Sequence, residues 1–486
     1  MAYQLKKQYD LIVLKADLMP AMRSESNVRF TLQCKIKGEL TDVRHWNANT
    51  RDMGFSQKFD NIQLPADLIA DLNEWMHQKT AADRPLWVHL VKPYGELRFV
   101  PWERLLGRAL GVPILMLPDF IFPRPRESTS AFEVALCASA PLGREDHWIR
   151  EAIRVSAQSI VNATNRALRL HVFTDSELAD TARKQLAPMN RPGAEIIVHT
   201  NGNADKYCAE DVSSRLVDRL GVVRSPWLLW MREQLRNRSI DVMHFACHGY
   251  LSRDRGAMLF AQSPLIRTGS YLAGPVGYME MQTFLTQVGA WSSVFTSVPD
   301  NNSEAGTRAL ADETAQSRPG PMLMHSLGAD PSGNALTDGY RFLYGPSGIP
   351  APRSDALFIY CQPYLSAAEV AAPPMSRPPA YGSDFARNVQ QREFAASAQH
   401  ASALDPWFGQ QENVSPSVAS TERFAEQVQL RYQQLARDGL LSHGLAEHRM
   451  NIAMDTISKL RSAVAADPSN AQAQLVPQGF ITGDQT

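Results

Sequence analysis

The chain has 486 residues, of which 44% are hydrophobic and 20% are charged, and its formal net charge is −1. At roughly 100–200 residues per domain, this length predicts two to four domains. A net charge near zero removes the electrostatic argument for binding nucleic acid or a membrane surface over the whole chain. The five cysteines are scattered and never form a CxxC pair, which excludes a disulfide framework and a zinc knuckle and suits a reducing cytoplasm.

The first twenty residues contain a short apolar run that Lys15 and Asp17 interrupt. A signal peptide needs an unbroken apolar region of about 7–15 residues, and no later segment reaches the roughly 18 apolar residues of a membrane span. We therefore expect a soluble cytoplasmic protein with no membrane partner.

Residues 1–128 are predicted to form a strand-rich N-terminal region. A Pro-punctuated stretch, Pro113 to Pro125, closes it as a boundary or a wrapping segment. β-branched and aromatic residues in partial alternation indicate three strands, and one helix has an apolar face. These elements are the strands Tyr9–Leu14, Val28–Ile36 and Leu86–Val91 and the helix Pro65 to about His77.

Residues 129–365 show short apolar runs that alternate with amphipathic helices. The strand candidates are Phe132–Ala138, Leu168–Phe173, Ala194–Thr200, Asp241–Ala246, Ser292–Ser297, Pro321–Leu327 and Ala356–Tyr360. The helix candidates are 147–165, 176–187, 225–237, 278–288, 303–317 and 334–344. This alternation predicts an α/β fold, an open and mostly parallel sheet of about six strands with helices on both faces. Its functional edge is expected at the carboxyl ends of the strands.

Residues 366–420 are predicted to be a Pro-rich and polar linker, and residues 421–486 a helical tail. Apolar stripes at helical spacing predict helices at Thr421–Arg437 and Leu441–Ala465, joined as an antiparallel hairpin. Two isolated helices cannot bury both stripes. We therefore expect the hairpin to dock on a protein partner or a second copy, or else to brace the α/β domain. The N-terminal region is the other expected interaction surface.

The segment from Asp241 to Tyr250, DVMHFACHGY, is the most informative of the chain. A hydrophobic strand is predicted to end at His248-Gly249, which places an imidazole at the functional edge of the sheet. Histidine with its unperturbed pKa of about 6.5 is suited to act as a general base there. Gly249 would let the backbone turn tightly.

Three segments together resemble CHAT peptidases, a group related to caspases. They are HFACHG ending at Gly249, LRFVPWERLL at Leu97–Leu106, and GAMLFAQSP at Gly256–Pro264, which is similar to the hairpin that follows the family's histidine. The resemblance covers about residues 85–365. It implies a caspase-like sheet with a Cys–His dyad, the histidine at the end of one main strand and the cysteine at the end of the next.

The sequence departs from that family at the nucleophile. The strand Trp291–Ser297 should run into a cysteine, but the matching residues are Ser297, Val298, Pro299 and Asp300. Neither Val298 nor Pro299 can attack a carbonyl group. The catalytic dyad is therefore predicted to be broken.

Three other residues are weighed as replacement nucleophiles. Strand alternation should turn Ser297 to a different face from the dyad position. Cys247 adjoins His248 and should face the opposite side as a buried thiol. Cys361 ends the predicted strand Ala356–Tyr360 and is expected on the same edge as His248, two strands beyond the neighbouring strand. That separation of roughly 10–14 Å is too large for a direct hydrogen bond.

Other polar residues accompany the expected strand ends. His244 is a metal-ligand candidate with His248 or, more simply, a core histidine, and His325 should end the strand beside the former cysteine strand. Asp300 and Asp330 fall at strand exits. The resemblance to caspase-like pockets implies that acidic groups there recognise a basic side chain, and the simpler interpretation is a solvated loop carboxylate. The sequence has no phosphate-binding loop, dinucleotide motif or zinc signature, so no cofactor or metal is predicted.

Three functions follow as hypotheses. The first is a catalytically impaired CHAT-type protein that serves as a regulatory or interaction subunit in a prokaryotic conflict or antiviral system. The second is an active cysteine endopeptidase that combines His248 with a relocated thiol, Cys361. The third is a scaffold whose pocket, lined by His244, Ser297, Pro299, Asp300 and His325, binds a peptide or another ligand without chemistry.

Overall fold

A computed structural model describes most of the chain up to residue 366. The described residues are 9–19, 26–36, 39–55, 62–79, 84–92, 94–119, 121, 131–139, 141, 147–204, 207, 223–236, 238, 240–252, 255–265, 273–346 and 348–366. The predicted tail helices, and the predicted linker beyond residue 366, lie outside this part of the chain.

Fourteen β-strands fall within the described residues. They are β1 (Ile12–Met19), β2 (Asn27–Ile36), β3 (Glu39–Asn49), β4 (Leu86–Val91), β5 (Ile114–Met116), β6 (Phe132–Ser139), β7 (Leu168–Phe173), β8 (Ala194–Val198), β9 (Val242–Ser252), β10 (Arg255–Ala261), β11 (Ala273–Gly277), β12 (Ser292–Ser297), β13 (Met322–Ser326) and β14 (Leu357–Tyr360). All seven strands predicted between residues 129 and 365 are present.

Eight α-helices lie in the same part of the chain. They are α1 (Ala66–Lys79), α2 (Trp102–Leu110), α3 (His147–Ala163), α4 (Ser176–Leu186), α5 (Pro226–Gln234), α6 (Tyr278–Gln287), α7 (Asn301–Ser317) and α8 (Asn334–Tyr344). The six helices predicted in the α/β region correspond to α3 to α8, with ends that differ by a few residues.

The strands form one large, mostly parallel sheet in the order β3-β2-β1-β4-β5-β14-β13-β12-β9-β6-β7-β8, and β10 and β11 extend β9 as a hairpin. The strands from β13 to β8 in this order are parallel to one another, and β1, β4, β5 and β14 are parallel among themselves. The two sets meet at β13 and β14, which are antiparallel. The carboxyl ends of the two sets therefore lie at opposite edges of the sheet.

Helices cover both faces of the sheet, as predicted. Alternate strand residues point to opposite faces, and the apolar side chains on each face are buried by helices. One apolar core joins the sheet to α3, α4 and α8, and includes Val294, Val298 and Ala246. The other joins it to α1, α2, α5, α6 and α7, and includes Phe245 and Phe295.

The sheet is continuous across the predicted boundary at residue 128. Two strands of the N-terminal region lack a strong sequence signal. β3 is an edge strand with a polar sequence that pairs only with β2, and β5 is three residues long within the Pro-punctuated stretch. Met116 of β5 pairs with Tyr360 of β14. The strand-rich region and the α/β region thus share one sheet.

Candidate functional site

His248 lies at the carboxyl edge of the parallel strands, but its strand does not end there. The last pairs of β9 with its parallel neighbours are Ala246 with Thr296 and Cys247 with Ser139. Beyond them β9 continues to Ser252 and pairs antiparallel with β10, where His248 lies opposite Leu259. The segment that resembles the family's hairpin therefore forms a hairpin here.

Gly249 has a different role from the tight turn expected of it. Its backbone N–H donates to Ser303 Oγ of α7 at 2.7 Å. A Cβ at this position would come within 2.0 Å of the Ser303 carbonyl oxygen and 2.4 Å of Thr307 Oγ1. Glycine is needed because the hairpin and α7 approach each other backbone to backbone.

Trp148, in the first turn of α3, covers the imidazole of His248. The two ring centroids are 4.7 Å apart and the ring planes are 83° apart, an edge-to-face contact. The exposed fractions are 8% for Trp148 and 6% for His248. Nothing in the sequence singled out this tryptophan, which is two residues into a predicted helix and distant in the chain from His248.

Val298 occupies the position that a nucleophile beside His248 would need. Thr296 and Ala246 are paired across β12 and β9, and Val298 and His248 are each two residues further on. Because side chains alternate along a strand, both point to the face that α3 covers. Ser297 points to the other face and is fully buried, with its hydroxyl 3.4 Å from the His325 carbonyl oxygen. Pro299 is exposed, and Asp300 precedes α7.

The expected position of Cys361 is wrong. The thiol follows β14, which runs antiparallel to β13, with Met322 opposite Tyr360. Cys361 therefore lies at the opposite edge of the sheet from His248, and β14 pairs on its other side with β5. Three strand spacings and about six residues along the strands separate the two side chains, or roughly 25 Å. Cys361 is 1% exposed, and burial raises the pKa of its thiol.

Cys247 is a buried core thiol, as its place beside His248 predicted. It is fully buried in the apolar core on the face opposite the imidazole. Burial and, next, the neighbouring Cys247 thiol raise the pKa of Cys137 on β6. The Cys137 thiol is therefore unsuited to nucleophilic attack.

His244 and His325 belong to one buried hydrogen-bonded network rather than to the edge of the sheet. His244 Nδ1 is 3.0 Å from Tyr340 Oη, and its Nε2 is 2.8 Å from Thr296 Oγ1. Thr296 Oγ1 is in turn 3.2 Å from His325 Nδ1, and His325 Nε2 is 3.3 Å from Asp330 Oδ2. The network crosses β9, β12 and β13 one layer beneath His248.

The ionised carboxylate fixes the direction of this network. Burial alone would raise the pKa of Asp330, but the nearby His325 ring and hydrogen bonds from the Leu336 amide and Ser332 hold that pKa below its usual value. His325 Nε2 lies 3.3 Å from the Asp330 carboxylate, a charge contact without hydrogen-bond alignment, and this contact favours the proton on Nε2. Nδ1 then accepts from Thr296. Thr296 then accepts from His244 Nε2, and Tyr340 donates to His244 Nδ1. Burial, with a smaller contribution from His325, lowers the pKa of His244 to about 3, so this ring stays neutral.

Replacing Thr296 by valine is expected to lower the free energy of unfolding by about 2–4 kcal/mol, because the isosteric change removes the hydroxyl that contacts two buried histidine nitrogens. His244 Nε2 then keeps only the longer 3.5 Å contact with Ser156 Oγ. Thr314→Val is the matched control, since Thr314 is equally buried but its hydroxyl bonds only the Leu310 carbonyl of its own helix. We expect a loss of about 1 kcal/mol or less there. Equal losses in urea unfolding would contradict a network role for Thr296.

The segment PWERLL is anchored by a buried ion pair that sequence reasoning did not identify. Arg308 of α7 donates through both terminal nitrogens to Glu103 of α2, and each side chain is 4% exposed. Trp102 is fully buried, and its indole N–H donates to the Leu97 carbonyl at 3.1 Å. The helix α7, which follows the Val298 position, is thereby tied to the N-terminal part of the sheet.

The described residues contain no cluster of three or more His, Cys, Asp or Glu side chains arranged to hold a metal ion. No helix among them combines the length and the apolar character required to cross a membrane.

No protein-family model matches the chain, and no curated protein matches it. Among solved structures, the chain is similar to the PilB minor pilin from Streptococcus sanguinis, at 10% sequence identity and a TM-score of 0.20, over 68% of this chain and 76% of that chain. A mutant of the same pilin matches at 9% identity and a TM-score of 0.19, over 69% and 80% of the two chains. Likenesses of this size carry no argument about fold or function.

Proposed function

We propose that the chain is a catalytically impaired caspase-like protein of the CHAT type, which acts as a regulatory or interaction subunit in a prokaryotic conflict or antiviral system. One observation carries the loss of catalysis. The position beside His248 on the neighbouring strand holds the aliphatic side chain of Val298. An alkyl group offers neither a lone pair nor an ionisable proton, so the dyad has a base and no nucleophile.

The neighbourhood of His248 supports the same proposal. The imidazole stands where a parallel strand leaves the sheet, the following segment returns as a hairpin, and the next strand in the sheet is the one that carries Val298. The alternative of an active peptidase with Cys361 is disfavoured, since that thiol is buried at the opposite edge.

A cytoplasmic location is part of the proposal. Cys137 and Cys247 are neighbours in the core, and their thiols are not bridged. Free thiols in contact suit a reducing compartment. The proposed partner surfaces are the N-terminal region and the tail helices Thr421–Arg437 and Leu441–Ala465.

A cysteine-directed peptidyl ketone tests the proposal. We expect the purified protein to form no covalent adduct at any cysteine when intact mass and peptide mapping are measured, because no reactive thiol among the described residues lies within reach of His248. An adduct at Cys361 that disappears in the His248→Ala variant would establish the active peptidase instead.

A further inference from the structure

The contact between Trp148 and His248 has a consequence for access to the site. The indole stands edge-on to the imidazole, with the ring centroids 4.7 Å apart, and only 6% of His248 is exposed. A ligand group that touches the imidazole must come within about 4 Å of it. The indole already fills that space on the side of the ring that it covers.

The closed arrangement leaves one polar group of Trp148 unsatisfied. Its Nε1–H is buried and has no hydrogen-bond acceptor among the described residues. A buried donor without an acceptor costs about 1–3 kcal/mol. Swinging the indole into water would restore that hydrogen bond, so the cost of opening is partly offset.

The shape of the space between the indole and His248 limits which ligand groups can replace the indole. A flat aromatic ring already packs there in the edge-to-face geometry that aromatic pairs prefer. Val298 supplies an aliphatic wall on the neighbouring strand. A ligand group of the same shape, such as the aromatic side chain of a partner peptide, could make the same contacts.

We propose that Trp148 is an occluding side chain that closes a binding site for an aromatic group over His248. In the closed conformation the indole of Trp148 fills the binding site of its own protein. A partner peptide enters by exchanging its own aromatic ring for that of Trp148, and the displaced indole gains a solvent acceptor. This inference deepens the proposed function, because it assigns a ligand class to the same impaired site.

Acylation by diethyl pyrocarbonate, followed by peptide mapping, measures how accessible each histidine ring is to a small reagent. In the wild-type protein we expect His248 to react as slowly as the fully buried His244 and His325 and far more slowly than the exposed His45. In Trp148→Ala we expect its rate to rise at least tenfold, while the rates of His244 and His325 stay unchanged. Free indole at saturating concentration should return His248 to the slow rate, because it refills the vacated space. Trp148→Phe, which keeps a ring, should remain protected.

Several outcomes would overturn the inference. One is a wild-type His248 that reacts as fast as His45, and another is a Trp148→Ala variant in which His248 stays slow. If free indole fails to restore the slow rate, the proposed binding site for an aromatic group is wrong, and only the covering of His248 by Trp148 stands. If His244 and His325 also become reactive in Trp148→Ala, the core has loosened, and the smaller truncation Trp148→Leu decides by the same rates. None of these results depends on a relationship to peptidases. The experiment with the peptidyl ketone can therefore contradict the proposed function without contradicting this inference, and the reverse also holds.

Discussion

Val298→Cys is expected to create a reactive thiol where the wild-type protein has none. A free thiol has a pKa of about 8.5, and a neighbouring imidazolium lowers that value, so the thiolate fraction at neutral pH should rise by about twentyfold. Because Trp148 covers His248, the effect should be largest in a Trp148→Ala background. The measurement is the rate of iodoacetamide alkylation at residue 298 as a function of pH, read by mass spectrometry.

Two controls isolate the contribution of the imidazole. His248→Ala in the same background should return the alkylation rate at residue 298 to that of an ordinary buried thiol. Ser297→Cys places a thiol one residue earlier on the opposite face of the strand, and it should remain inert. Equal alkylation rates with and without His248 would mean that Val298 does not lie beside the imidazole, and the impaired-dyad interpretation would then be wrong.

The strands and helices around this site could be predicted because their residues repeat at regular spacing. Short apolar runs alternating with amphipathic helices predicted seven of the nine strands and all six α-helices described between residues 129 and 365. The ends are accurate to a few residues except where β9 continues into its hairpin, and β10 and β11 were not among the predicted strands. Periodicity does not give strand direction, however. A helix between two strands usually joins parallel neighbours, whereas α8 leads into β14, which pairs antiparallel with β13 and parallel with β5. The position of Cys361 was wrong for this reason.

Side-chain partners were harder to predict than elements. His244 was predicted to be a metal ligand or a core histidine, and His325 to end its strand and line the pocket. The two rings are joined by the Thr296 hydroxyl, a contact that neither prediction included. Trp148 reaches His248 from a helix that is distant in the chain. Such pairings depend on how helices pack across the sheet, and a single sequence carries no local signal for them.

The buried pair of Glu103 and Arg308 offers the second large effect. Glu103 accepts from both terminal nitrogens of Arg308, whose guanidinium carbon lies 4.3 Å from the centroid of the Phe358 ring. Arg104 bonds Glu304 at 2.6 Å nearby and extends the charged contact between α2 and α7. Both members of the central pair are 4% exposed, so neither charge is compensated by water.

We expect Arg308→Met to lower the free energy of unfolding by about 3–5 kcal/mol, because the buried Glu103 carboxylate loses both of its hydrogen bonds and keeps only the longer 3.9 Å contact with Arg104 Nε. Adding Glu103→Leu should recover most of that loss, since an apolar pair of similar volume avoids the cost of burying a lone charge. The control is Arg108→Met on α2, whose pair with Asp355 is exposed and should contribute about 1 kcal/mol or less. The free energy of unfolding in urea is measured for both single variants, the double variant and the control. A double variant as unstable as the sum of its single changes would show that the two side chains act independently, and α2 would then be held to α7 by apolar packing alone.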